Sequence, residues 1–150
     1  MAELTERKSQ LSQGLPPVAH FFVNNPEDVA IYTIGELAAQ ARRRLRNACL
    51  AALCRADPQH LALAHAQYAD AANLTDRLAA LGVLVHLRAD GADAALADFS
   101  QRYADDALVI DKWFVLQATD GDPQVLARIE ALTTHPAFRW SNPNNAYALL

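Results

Sequence analysis

Histidine and cysteine are the residue types in this chain best suited to metal binding, but their spacing fits no metal motif. His60 and His65 are five residues apart, which places them roughly 140° apart around a helix. A catalytic zinc helix instead carries histidines four residues apart with a glutamate after the first, and no His-Glu-x-x-His occurs. Cys49 and Cys54 are too far apart to form a disulfide within one helix. We therefore predict no metal site, and two buried free thiols.

Motifs for nucleophilic or phosphate chemistry are absent from the sequence. There is no Gly-x-Ser-x-Gly, no P-loop and no Gly-x-Gly pair. The few glutamates form no convincing acid–base pair. We therefore predict no catalytic residue in this chain.

A cluster of arginines between residues 42 and 46 is the sharpest charge feature of the sequence. Arg42 and Arg46 are four residues apart, so they share one face of a helix. This face is a candidate site for an anion or a carboxylate. We favour the alternative that these arginines contact neighbouring helices, either at their C-termini or at aspartates such as Asp76.

The composition limits the class of protein. With 150 residues, 52% hydrophobic and 20% charged, the chain is long and apolar enough to form one globular core. Its net charge of −4 argues against a nucleic-acid partner. The longest apolar run, residues 78–87, is shorter than the roughly 18 to 20 residues of a membrane span. The first 13 residues are too polar for a signal peptide. We predict a cytoplasmic protein with no nucleic-acid or membrane partner.

Regularly spaced helix-start signals predict an all-α fold. A long helical pattern extends from Glu27 to about Cys54, and further starts follow about every 16 residues. These signals are Asp57-Pro58, Asn73, Asp90-Gly91, Asp105-Asp106, Asp122-Pro123 and Asn142-Pro143.

An internal repeat refines this prediction to stacked antiparallel helix pairs, an α-solenoid of the armadillo or HEAT type. Leu61-Ala62 recurs as Leu96-Ala97, and Asp76-Arg77 recurs as Asp111-Lys112, both at an offset of 35 residues. A period in the mid-thirties with two helices per unit is typical of such superhelices. A third copy begins at Asp122-Pro123.

Five further segments have a characteristic order and spacing: Arg42–Asn47, Asn73–Leu81, Asp111–Ala118, His135–Phe138 and Asn142–Asn144. Together they resemble the C-terminal helical domain of bacterial aminopeptidase N, the zinc alanyl aminopeptidase family. Their order and spacing are similar to that domain over roughly residues 39–150. Residues 1–38 form a leader segment without this resemblance, and it is partly helical from about residue 27. The helical domain looks truncated, because it ends on an apolar half-helix.

The resemblance implies a supporting role in an enzyme. In that family the C-terminal domain closes over a catalytic domain that binds zinc through His-Glu-x-x-His and the substrate amine through Gly-Ala-Met-Glu-Asn. Neither motif is in this chain, so we expect no zinc here and no activity from the chain alone. The resemblance also implies that Asn142, Asn144 and Tyr147 face the substrate cavity, with Tyr147 at a position where the family usually has an arginine.

Two functions fit these observations. As a module of a metallo-aminopeptidase, the chain would pair its exposed ends with the catalytic domain. As an independent scaffold or adaptor for protein–protein interaction, it would self-associate through its apolar ends, in particular residues 146–150.

Overall fold

A computed structural model describes residues 18–20, 31–119, 121 and 123–150. The chain divides into two units, residues 1–46 and residues 47–150. In the described residues the elements are β1 (Val18–His20), β2 (Ile31–Thr33), α1 (Ile34–Ala56), a 3₁₀ turn (Pro58–His60), α2 (Leu61–Asp70), α3 (Leu74–His86), α4 (Ala92–Arg102), α5 (Ala107–Ala118), α6 (Val125–Thr133) and α7 (Pro143–Leu149).

The first unit contains a short antiparallel strand pair. Strand β1 pairs with β2 in a register that places Val18 opposite Thr33. Ile31, Tyr32 and Thr33 are β-branched or aromatic, which favours a strand over a helix. The helix expected from about residue 27 therefore begins at Ile34, while residues 27–30 lie outside the described part of the chain.

Side-chain caps begin three helices of the second unit, residues 47–150, where the sequence predicts a start: α3, α5 and α7. The Asn73 carboxamide oxygen accepts a hydrogen bond from the Asp76 amide at 2.9 Å, before α3. The Asp106 carboxylate accepts bonds from the first amides of α5. These caps satisfy backbone donors that have no partner inside the helix, which fixes where each helix starts.

Two of the predicted starts differ in detail. Gly91, rather than Asp90, is the N-cap of α4, with φ of 81°, a left-handed conformation that favours glycine. Helix α6 begins at Val125, and its N-cap Gln124 makes no side-chain capping bond. Asp122 of the predicted Asp122-Pro123 start lies outside the described residues.

The helices of the second unit begin as consecutive pairs, α2 with α3 and α4 with α5, and α6 and α7 both pack against α5. Helices that follow one another from α2 to α6 pack together, and α5 also packs against α7. One core connects the pairs, and its most buried large side chains are Phe99, Phe114, Leu81 and Leu84. The prediction of an all-α solenoid of helix pairs is confirmed, with β1 and β2 as a small addition. No helix among the described residues is long and apolar enough to cross a bilayer.

Candidate functional site

An open groove of about 720 Å³ lies between α3, α5 and α7 in the second unit. Its surface is largely apolar: Leu116 is half-buried, whereas Leu108 and Val115 are exposed. Polar groups also line it, among them Lys112 and Tyr147. A groove of this size with an apolar surface and a few polar groups is suited to binding a side chain or a helix of a partner.

The sequence of α5 places apolar residues on both sides of this helix. Trp113 and Phe114 are buried in the core, and the Trp113 indole N–H donates to the Leu96 carbonyl at 3.1 Å. Leu108 and Val115 lie on the opposite face, where they are 66% and 42% exposed. Apolar side chains therefore stay exposed on this face of α5, beside the charged Asp111 and Lys112.

A buried asparagine fixes α7 against α5 and so shapes one wall of the groove. The Asn145 side-chain amide donates to Asp111 Oδ1 at 2.5 Å, and its oxygen accepts from the Arg139 amide at 2.8 Å. Asn145 is only 3% exposed. Because both polar ends of this side chain are bonded, α7 is held at a defined position on α5.

The residues assigned to the substrate cavity by resemblance divide into two groups. Asn144 and Tyr147 line the groove, and Tyr147 is 81% exposed. Asn142 instead caps α7, with its side-chain oxygen accepting from the Asn144 amide at 3.1 Å, and is not among the groove residues. That these three residues face a substrate stays a prediction.

The arginines of α1 lie in the first unit. Arg42 and Arg46 are both exposed, and Arg46 has an interaction partner. The proposed contact partner Asp76 accepts hydrogen bonds from the side chains of Asn47 and Asn73, at 3.0 and 2.8 Å. An anion site or an inter-helix role for Arg42 and Arg46 stays a prediction.

A tyrosine–carboxylate pair connects α2 with α4. The Tyr68 hydroxyl donates to Asp98 Oδ2 at 2.7 Å, and Arg102 pairs with Asp98 at 3.1 Å. Burial, followed by the bond to the carboxylate, raises the pKa of Tyr68. The hydrogen bonds from Tyr68 and Arg102 lower the pKa of Asp98. Both shifts hold Tyr68 protonated and Asp98 charged, as expected of a structural contact rather than of an acid–base pair.

His135 lies against the aromatic core. Its ring centroid is 5.2 Å from that of Trp113 and 5.6 Å from that of Phe114. Its Nδ1 accepts a bond from the Ala137 amide at 3.1 Å, so the proton of the neutral ring is on Nε2. Burial lowers the pKa of His135.

The described residues provide no metal site. Among residues 18–20, 31–119, 121 and 123–150, no group of three or more His, Cys, Asp and Glu side chains is arranged to hold a metal ion. His65 is exposed, and Cys54 donates to the His60 carbonyl at 3.3 Å. Both cysteines are free, but Cys49 is exposed, so the prediction of two buried thiols is wrong for it. Burial raises the pKa of Cys54.

Sequence reasoning missed Asn145 as the hydrogen-bond partner of Asp111. Each aspartate of the repeated pairs, Asp76 and Asp111, accepts a bond from an asparagine of another helix, Asn47 in α1 and Asn145 in α7. The 35-residue repeat pointed to the aspartates. Nothing in the sequence identified their partners, because those lie 29 and 34 residues away.

Comparison with known proteins identifies relatives over most of the chain. The profile of the family described as "Domain of unknown function (DUF3458_C) ARM repeats" matches residues 6–150. The match therefore begins upstream of the boundary predicted at residue 38. The ARM repeats in this description agree with the stacked helix pairs.

Three curated relatives are named Aminopeptidase N. The protein of Haemophilus influenzae is 43% identical over 110 residues, which is 73% of this chain and 12% of that protein. Those of Caulobacter vibrioides and Escherichia coli K12 are each 40% identical, over 77% and 73% of this chain and 13% of each protein. The chain thus spans about an eighth of the length of the curated relatives it matches.

A solved structure shares the fold. Legionella pneumophila aminopeptidase A in complex with aspartic acid is 29% identical, with a TM-score of 0.70 over 86% of this chain and 15% of that chain. The described helix pairs are therefore similar to a part of a larger aminopeptidase.

Proposed function

Because the chain belongs to the DUF3458_C family of ARM repeats, we propose that it serves as the C-terminal helical module of a zinc aminopeptidase N-type enzyme. In that enzyme, which releases N-terminal amino acids from peptides, the module covers the catalytic domain and restricts access to it. The observation that carries the proposal is the match of about three quarters of this chain to three proteins named Aminopeptidase N.

Catalysis in this proposal depends on residues outside the chain. The described residues have no group that fits a zinc ion, so the metal is held by the catalytic domain, which is the partner we propose. The contribution of this chain is the packed helix pairs and the groove between α3, α5 and α7. The free thiols of Cys49 and Cys54 support a reducing compartment, and we place the module in the cytoplasm.

A chimeric enzyme tests this proposal. In the Haemophilus influenzae aminopeptidase N, the segment of 110 aligned residues is replaced by the aligned residues of this chain. Hydrolysis of an alanyl chromogenic amide is measured as kcat and KM beside the parent enzyme and a deletion variant with a flexible linker. We expect the chimera to retain kcat/KM within about tenfold of the parent, and the deletion variant to lose it.

A matched pair of variants shows whether the folded module is what the enzyme needs. Phe114→Ala removes a fully buried core ring, whereas Leu126→Ala changes a side chain that is 71% exposed. In the chimera, the first change should lower the temperature at which activity is lost, and the second should leave it unchanged. A well-folded chimera without activity would contradict the proposal, as would a fully active deletion variant.

A further inference from the structure

One stretch of α1 carries a concentrated positive charge. Four arginines occur between residues 42 and 46, and no aspartate or glutamate occurs between residues 37 and 56, although the whole chain has a net charge of −4. Arg42 and Arg46 are one helical turn apart, so their like charges repel each other, and no acidic residue three or four positions away offsets this repulsion. The cluster therefore destabilises α1, which suggests that its charges serve a contact outside this helix.

The exposed side of this stretch combines charge with an apolar side chain. Arg42, Leu45 and Arg46 have the three- and four-residue spacing of one helix face, and all three are exposed, Leu45 by 65%. These three side chains form the arginine–leucine face. Arg44 is also exposed, but it lies roughly 150° around the helix from the centre of this face. All four residues belong to the first unit.

The chemistry of the arginine–leucine face fits an acidic protein surface. Arginine is enriched in protein interfaces and lysine is depleted there, and this stretch of α1 contains arginine and no lysine. A guanidinium can pair with a carboxylate through two parallel hydrogen bonds, and the leucine adds an apolar contact that a phosphate backbone does not match. The net negative charge of the chain also repels nucleic acid and anionic lipid at long range.

We propose that the arginine–leucine face of α1 docks onto an acidic surface of the catalytic domain, with Arg42 paired to a carboxylate and Leu45 in an apolar contact beside it. This inference rests on the proposed enzyme module, because the catalytic domain is the partner in both. It uses none of the residues that line the groove between α3, α5 and α7.

One charge reversal measured in two settings tests the docking. Arg42→Glu changes the arginine–leucine face, and Arg44→Glu makes the same change on another side of the helix as a matched control. Arg46 is left unchanged, because it already has an interaction partner. In the isolated chain, urea denaturation should give similar midpoints for the wild type and both variants, because both side chains are exposed.

The chimeric aminopeptidase is the second setting. A span of 110 residues in a chain of 150 begins at residue 41 at the latest, so the chimera contains the arginine–leucine face. Arg42→Glu should shorten the half-life of its activity at elevated temperature at least about tenfold, because like charges facing each other in an interface are strongly destabilising. Arg44→Glu should leave the half-life unchanged. Arg42→Lys, which keeps the charge, should retain most of it, and Leu45→Glu should shorten it.

Three results would overturn the inference. The first is an equal effect of Arg42→Glu and Arg44→Glu on the chimera. The second is an equal loss of stability from Arg42→Glu in the isolated chain and in the chimera, which would show a role within this chain alone. The third is binding of the isolated chain to phosphatidylserine vesicles or duplex DNA that Arg42→Glu abolishes, with no effect of this variant on the chimera.

The two proposals fail in distinguishable ways. A folded but inactive chimera with the unmodified module would contradict the proposed function, and this inference with it. An active chimera whose half-life is insensitive to Arg42→Glu would contradict only the docking of the arginine–leucine face.

Discussion

Replacing Asn145 with alanine should detach α7 from α5. Asn145 is 3% exposed and makes two hydrogen bonds, one to the Asp111 carboxylate and one from the Arg139 amide. A hydrogen bond to a charged group contributes about 1.5 to 3 kcal/mol and a neutral one about 1 kcal/mol. We therefore expect Asn145→Ala to lower the free energy of unfolding by about 3 kcal/mol. For a domain of this size that corresponds to a fall in Tm of roughly 10 °C.

Urea denaturation followed by circular dichroism at 222 nm measures this change, with Asn144→Ala as the matched control. Asn144 is the preceding residue of the same helix, but it is exposed, so its truncation should cost less than about 0.5 kcal/mol. Asn145→Asp adds a sharper test, because it places a carboxylate against Asp111 and should destabilise more at pH 7 than at pH 4. If Asn145→Ala and Asn144→Ala have equal midpoints, the account of α7 docking is refuted.

Three further perturbations follow from the core and its titratable groups. Phe114→Ala should lower the free energy of unfolding, measured by urea denaturation, by about 3 to 5 kcal/mol because Phe114 is fully buried. The exposed Val115 is the control, because Val115→Ala should lower it by less than about 1 kcal/mol; equal changes would contradict this packing. Because the pKa of His135 is lowered in the folded chain, the free energy of unfolding should have its full value above the ordinary histidine pKa and fall as the pH drops below it. His135→Phe should reduce this fall between about pH 7 and pH 5, and an equal fall in the variant would count against the reasoning. Tyr68→Phe should raise the pKa of Asp98, as carboxyl NMR titration would show, because it removes the hydrogen bond that lowers this pKa most; an unchanged titration would exclude the contact.

The sequence was most informative where local chemistry decides the structure. The caps at Asn73 and Asn142 could be predicted because their side chains bond amides two or three residues away. The helix-pair repeat could be predicted because the same residue types recur at a fixed offset of 35 residues.

Contacts between distant residues set the limit of this prediction. The bond between Asn145 and Asp111 joins residues 34 positions apart, and an asparagine beside Asn144 has no local feature that marks it as buried. The exposure of Cys49 depends on which face of α1 is covered, and the helix pattern alone does not determine that. The strand at Ile31–Thr33 replaced an expected helix because the β-branched and aromatic side chains there favour extended backbone.

Whether this chain contributes structure rather than bond cleavage is tested most directly by its own hydrolytic activity. The pure chain is incubated with an alanyl chromogenic amide, with zinc added in one series and a chelator in another. The account predicts release of chromophore at the buffer rate in both series. Turnover above that rate that requires zinc and rises in proportion to the concentration of the chain would contradict it.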